Sequence, residues 1–381
     1  MSMKKLSNWL KVIFALLILY VVFLQPIPFY IEKPGGAFGL DAMVEIDDKF
    51  SDKAGDFYIT TVGIQQATPF TALSSILPFR DLRNEKELFG EIEDFEEYDT
   101  IQQFYMDSSI NTAIQVAFEA ADRSYELNYE GVYVLQVVEE SDFKNTLQVG
   151  DTVTSVDGRT FQSSYEFIDY VSTKEVGDEV TVEFKRDEQL KETSGELILL
   201  DTGVPGLGIG LVDRSTISTQ PPITIHAGAI GGPSAGLMFS LQVYNQLLDG
   251  NLRDDYKIAG TGSLSPDGTV GRIGGIEKKV VAADKEGAAY FFAPDDEVTD
   301  ELKAVYPKAR SNYEEAVDAA QGIKTDMEII PVKTFSDAIE FLEELEKEEA
   351  ASTAYIPIQK LFNPYLPRLE NENLVAVGNV F

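Results

Sequence analysis

Residues 12–24 are an unbroken apolar run of thirteen positions, with Lys4, Lys5 and Lys11 before it and Pro26, Pro28 and Glu32 after it. A helix across residues 9–30 measures about 32 Å at 1.5 Å per residue, near the roughly 30 Å of a bilayer's hydrocarbon core, with Trp9 and Tyr30 at its ends. The run predicts a retained single-pass membrane anchor over residues 1–31. Lysines before it and Glu32, Asp41 and Glu45 after it put the N-terminus in the cytoplasm and the rest of the chain outside the cell. A cleaved signal peptide is the rival reading, but no small-x-small cleavage site follows Leu24 closely.

Beyond the anchor the pattern changes several times. Residues 32–126 mix short β-like runs, such as 57–62, with turn residues, and are expected to form an α/β extension packed on the C-terminal unit. Within them, eight of the fifteen residues 85–99 are acidic, and Leu88, Phe89, Ile92 and Phe95 recur at helical spacing. The acids read as a solvated helix face, because no EF-hand spacing marks a calcium site. Ile110, Ala113, Ile114, Ala117 and Phe118 then trace an amphipathic helix ending near Asp122. Residues 127–200 alternate at Val132 and Val134, and at Val180, Val182 and Phe184, as half-buried strands do; Ser163 and Glu166 have capping-box spacing ahead of a helix. Residues 203–346 alternate strands at 207–212, 222–226, 256–262, 289–293 and 327–332 with helices after Pro233 and Gly275, so the fold class is α+β. The proline-containing tail, 351–381, is expected to be extended or partly disordered.

Composition narrows the chemistry. A formal charge of −33 repels phosphate backbones, which excludes nucleic acid as a partner. Zero cysteines exclude thiol nucleophiles and cysteine zinc sites, and the single histidine, His226, excludes a multi-histidine metal centre. No metal and no cofactor is expected. No Gly-Lys dipeptide occurs, so there is no phosphate loop and no nucleotide is expected to bind. Catalysis must run on hydroxyls, carboxylates and amines.

One stretch fits that requirement. Gly231, Gly232 and Pro233 turn the chain out of a strand, and Ser234, Ala235 and Gly236 open a helix with Leu237, Leu241, Tyr244 and Leu248 along one face. Ser234 at a helix N-terminus sits where free N–H groups can stabilise an oxyanion, although a capping serine is the blander reading. Its base is either His226, eight residues upstream on a strand that leads away, or a lysine whose pKa is lowered by burial. On the helix after Gly275, Ile276, Val280 and Ala283 define the apolar face; Lys279 lies at its border and Lys278 on the polar side with Glu277 and Lys285. Lys279 is thus the lysine that can be desolvated, with snorkelling from a core edge as its bland alternative. Asp201, Thr202 and Gly203 match the aspartic-protease triplet, but that chemistry needs two such carboxylates and only one triplet is present.

Two resemblances organise these residues. The strand at Gly131, Val132, Tyr133 and Val134, the segment 147–158 and the helix after it resemble a PDZ domain, a β-sandwich with helices. This implies that the edge at Gly131, Val132, Tyr133 and Val134 accepts an extended peptide as an added strand. The segment Gly232 to Gly236 around Ser234, the pair Thr261-Gly262, and Gly274, Gly275 and Lys279, forty-five residues past the serine, resemble the proteolytic α/β domain of Lon-type serine peptidases. With anchor, PDZ unit and this domain in order, the chain is similar to the membrane-anchored, PDZ-containing Lon-like proteases of Gram-positive bacteria, including the pheromone-processing SepM group. The resemblance implies Ser234 as nucleophile, Lys279 as base and Thr261 as hydrogen-bond partner of the lysine. It implies an ATP-independent endopeptidase acting on peptides or unfolded proteins outside the cytoplasm, at a bilayer, with an oligomer compatible with the sequence. The chain departs at Gly231, where ATP-dependent Lon enzymes carry an acidic residue. The alternative function is a non-catalytic PDZ receptor or chaperone.

Overall fold

The computed structural model describes residues 3–354 apart from 91, 93, 94, 249 and 306. Helix α1 (Met3–Phe23) ends seven residues short of Tyr30, because Pro26 and Pro28 lack the N–H that would continue it. Among the described residues no helix is long and apolar enough to cross a membrane. The chain instead enters β1 (Phe29–Gly39), followed by β2 (Val44–Ile46), β3 (Asp56–Gln66), α2 (Pro69–Ala72) with a 3-10 turn at Leu73–Ile76, and β4 (Asp81–Asn84). The acidic stretch is not one helix: α3 (Glu85–Phe89) stops at Gly90, whose φ is +68°, and α4 (Phe95–Ala120) starts afresh. Phe89, Phe95, Tyr98 and Tyr30 form an aromatic cluster between them.

The middle of the chain supplies β5 (Tyr125–Val137), β6 (Thr152–Val156), β7 (Arg159–Thr160), α5 (Ser164–Ser172), β8 (Glu179–Arg186), β9 (Gln189–Glu196), β10 (Ile198–Leu199), β11 (Pro205–Gly206) and β12 (Ile209–Thr219). The Ser163 side chain caps α5 by accepting from the Glu166 N–H, while the Glu166 carboxylate accepts from Gln162 rather than from Ser163, so only half of the expected box forms. One sheet runs β12-β5-β6-β8-β9 around Val134, Phe143, Val156, Phe167, Val182 and Phe184. Strand β12 lies on this sheet, pairing with β5 over its whole length, so the unit extends past residue 200 and takes in the strand expected to open the C-terminal unit.

The C-terminal part adds β13 (Ile223–Ile225), α6 (Gly236–Leu247), β14 (Lys257–Gly260), β15 (Ser263–Leu264), β16 (Val270–Gly271), α7 (Ile276–Glu286), β17 (Tyr290–Pro294), α8 (Asp300–Val305), α9 (Asn312–Ile323), β18 (Glu328–Val332) and α10 (Phe335–Ala354). Helix α10 carries residues 351–354, expected to be extended, and the remainder of the expected tail lies outside the described residues. The central sheet has the order β18-β17-β14-β3-β1-β4, with β3, β14, β17 and β18 parallel and β1 and β4 antiparallel to their neighbours. Residues 32–126 therefore build half of this sheet rather than pack on it, and the β5–β12 unit is an insertion between the two halves.

One sheet face buries Phe57, Ile59 and Phe292 against Phe118 of α4 and Phe239 and Leu241 of α6. The other buries Phe291 against Ile276 and Val280 of α7 and Ala316 of α9. Each such large side chain contributes about 1.5–3 kcal/mol on burial, so this sandwich fixes where α6 and α7 begin.

Candidate active site

The starts of α6 and α7 converge. The Lys279 Nζ lies 2.6 Å from the Ser234 Oγ and 2.9 Å from the Thr261 Oγ1. The Thr261 hydroxyl in turn donates to the Ser234 carbonyl at 2.9 Å, and the Gly262 N–H donates to the same carbonyl at 2.9 Å. All three residues expected at the site thus meet at one point. Lys279 is 3% exposed and Thr261 1%. Burial alone lowers the Lys279 pKa to about 7, with no carboxylate near enough to hold its proton. With the amine neutral, the Ser234 O–H donates to the nitrogen lone pair and an amine N–H donates to the Thr261 oxygen, so the lysine is oriented by one hydroxyl and aimed at the other.

Lys278 corrects the helical-face reading. It is buried as well, 2% exposed, because α7 lies against β1 and β3 and Asp81 at the start of β4 closes over the ammonium. Burial lowers its pKa, but hydrogen bonds to Asp81 and Glu277, both at 2.6 Å, outweigh that and raise it, so Lys278 stays an ammonium. Adjacent lysines are thereby driven in opposite directions by the presence or absence of a carboxylate. His226 stands apart: its ring is half exposed and lies 3.2 Å from Glu45, while its main-chain N–H donates to the Met43 carbonyl. Asp201, Thr202 and Gly203 form an exposed turn between β10 and β11.

The part played by α4 was not read from the residues, Gly231 having stood only as a departure from the resemblance. The Gln102 carbonyl accepts from the Gly232 N–H at 2.8 Å, and the Ser109 hydroxyl donates to the Pro233 carbonyl at 3.1 Å, so α4 braces the loop that presents Ser234. This bracing accounts for Gly231. A Cβ at that position would stand 2.8 Å from the Gln102 Cβ, so no side chain, acidic or otherwise, fits there. Among the described residues the Ser234 and Ala235 N–H groups donate to no protein acceptor, and both precede α6. A cleft of about 790 Å³ opens over the serine, lined by Gln102, Gly232, Lys279, Ile64 and Arg272 among others.

The expected peptide-accepting edge is corrected by the sheet order. Gly131, Val132, Tyr133 and Val134 lie in β5 between two strands: Arg214, Asp213, Val212 and Leu211 of β12 pair with them on one side, and Val132 and Tyr133 pair with Val153 and Thr152 of β6 on the other. Val132, Tyr133 and Val134 are buried, and Gly131 is glycine because a Cβ would press on the Val153 carbonyl. On this side the edge of the sheet is β12, β9 being the other edge. Its first half lies beside α5, where the Ser164 N–H donates to Asp213 at 2.6 Å, and its second half is held by Asn111 of α4.

Comparison with known proteins finds two families, whose matched stretches meet near β12 rather than at the ends of the sheet it belongs to. Residues 112–197 match the PDZ domain family and residues 213–343 match the Lon protease (S16) C-terminal proteolytic domain. The peroxisomal Lon protease homolog 2 of Caenorhabditis briggsae is 31% identical over 144 residues, which is 37% of this chain and 16% of that protein. The Lon protease of Campylobacter concisus is 33% identical over 133 residues, 34% of this chain and 14% of that protein. The match thus spans about a sixth of these relatives' length. The PDZ domain of an SdrC-like protein from Listeria monocytogenes is 39% identical, covering 23% of this chain and 93% of that one, with a TM-score of 0.22. The match to a Lon-type proteolytic domain, with Ser234, Thr261 and Lys279 inside it, supports a serine peptidase.

Proposed function

We propose that this protein is a membrane-anchored serine endopeptidase that works without ATP, through Ser234 and Lys279, on peptides or locally unfolded proteins outside the cytoplasm, a peptide pheromone being one such substrate. The observation that carries the reading is the 2.6 Å approach of a fully buried lysine, its pKa brought to about 7, to the serine hydroxyl. Neutral Lys279 takes the Ser234 proton as Oγ attacks the scissile carbonyl carbon, and the free N–H groups ahead of α6 stabilise the oxyanion. The resulting ammonium returns the proton to the leaving amine, and water then attacks the ester with Lys279 again as base. The anchor reading rests on α1 and the turn after it, whose side chains from Trp9 to Leu24 are almost all exposed although nearly all are apolar.

The enzyme reading is tested by incubating the protein with casein and with a serine-directed phosphonate. We expect turnover and a single covalent adduct on Ser234, absent in Ser234→Ala. Failure of both in every condition would leave a non-catalytic peptide receptor.

The PDZ unit is proposed to recruit substrate by adding an extended segment to the open edge of β12 at residues 209–213, beside α5. Hydrogen exchange tests this. A saturating extended peptide should slow exchange at amides within 209–213, and competition should raise KM for a protein substrate without altering cleavage of a short generic peptide. Unchanged exchange at β12 would remove the recruitment role.

A further inference from the structure

We propose that residues 69–77, comprising α2 and its 3-10 turn, form an apolar foot that inserts into the outer interface of the bilayer and holds the catalytic cleft at the membrane surface. The proposal rests on the anchor reading and adds a second contact to it.

Four observations carry it. First, Phe70, Leu73, Ile76 and Leu77 are 51%, 63%, 82% and 54% exposed, so one short turn displays four large apolar side chains. Second, residues 57–79 contain no Asp, Glu, Lys or Arg in a chain that is 25% charged; residues 57–66 of that stretch lie in β3, but the exposed part beyond has no comparable reason to be uncharged. Third, the foot is joined to the end of α1. The Phe23 and Phe70 rings lie 4.5 Å apart, the Ile27 N–H donates to the Ala67 carbonyl at 2.9 Å, and the Ala67 N–H donates to Phe29 at 2.8 Å. The chain leaving α1 and the chain entering the foot therefore share one level. Fourth, the apolar run 12–24 is only about 20 Å of helix against about 30 Å of hydrocarbon. The foot stands at the outer end of that short run, where further apolar surface continues it, as interfacial segments do.

The consequence concerns substrate. Ile64 lines the cleft over Ser234 and precedes the cap of the foot, Thr68, by four residues, at most about 13 Å of extended chain. The cleft is thereby held within reach of substrate segments that lie close to the membrane surface, in addition to chains that reach it from solution.

The chain has no cysteine, so single-thiol variants report one position each. The full-length protein, reconstituted in phospholipid vesicles, carries a nitroxide at Ile76→Cys, at Leu17→Cys in α1, or at Leu190→Cys on the exposed β8–β9 hairpin, with Leu73→Cys as a second foot variant. Collisional accessibility to oxygen and to a water-soluble nickel chelate is compared, after peptide turnover has shown that each variant is folded. The foot predicts an oxygen-to-nickel ratio at 76 and 73 several-fold above that at 190 and below that at 17. A ratio at 76 and 73 equal to that at 190, with 17 in lipid, overturns the foot and leaves the anchor. Exclusion of both reagents from 76, with dipolar broadening between labels, means that a second copy covers the turn and also overturns it. Position 17 in water refutes the anchor itself.

Discussion

Replacing Lys279 with methionine is expected to lower kcat by about 10²–10⁴-fold, the contribution of a positioned general base, while leaving the fold intact. Methionine fills the slot of the lysine's apolar stem, stopping one atom short of the amine, and takes no proton into the apolar site, so stability is expected to hold or rise. The Lys278→Met and His226→Ala variants are the controls. Lys278 is ion-paired with Asp81 and Glu277 and faces neither Ser234 nor Thr261, so its loss should lower stability and spare the chemistry. His226 touches Glu45 and lies outside the cleft lining. In the parent enzyme the sign of the pH dependence follows from the base. Below about 7 the Lys279 amine is protonated and has no lone pair to offer, so kcat/KM should rise with pH and level off above the midpoint. A profile governed by a group near 10, or activity lost on removing His226 instead, would contradict the assignment.

Replacing Arg253 with methionine is expected to lower the unfolding free energy by about 3–5 kcal/mol, the usual penalty for removing one partner of a buried charge network. Arg253 is fully buried after α6. Its guanidinium donates to Ala54, Gln242, Asp41, Ser51 and Lys53, tying the β1–β3 connections to the helix that starts at the nucleophile. The loss should shift the urea midpoint with little change in slope, and circular dichroism reads both. A pH signature accompanies it. Burial, and then the like charge of Asp41, raise the Asp56 pKa to about 6, with backbone N–H groups and Arg253 opposing. A carboxyl raised above its unfolded value of about 3.9 loses stability as pH climbs from about 4 through its folded pKa, so Asp56 should add stability on acidification from pH 7 to 5, a contribution read as the difference from an Asp56→Asn variant. Without the guanidinium that gain should grow. A variant as stable as the parent at pH 7 would show that the network contributes nothing net.

The pairing of Ser234 with Lys279 was legible because the signals are local. The glycines and proline ahead of Ser234 set a tight turn into a helix, and the period of α7 alone put Lys279 at the edge of its apolar face. What failed was non-local. Lys278 looked polar because Asp81, which buries and pairs it, is 197 residues away in sequence. β1, β3 and β4 read as a separate extension because their partner β14 lies on the far side of the inserted PDZ unit. Gly131, Val132, Tyr133 and Val134 read as an edge because alternation marks a strand but not its neighbours, and β12 comes some eighty residues later. The bracing of the Ser234 loop by Gln102 passes through a main-chain carbonyl, which leaves no trace in residue identity; Gly231 was its only sign, and it registered merely as a departure.

The central claim is that burial without a carboxylate brings the Lys279 pKa down to about 7, so that a substantial share of the amine is neutral near physiological pH. Heteronuclear NMR of protein labelled with ¹³C at the lysine ε carbon tests it directly, the Lys279 signal being the one absent from the Lys279→Met spectrum. We predict a titration midpoint near 7 for that carbon, well separated from the other lysines. A midpoint at or above the ordinary lysine value of about 10.4 would contradict the account.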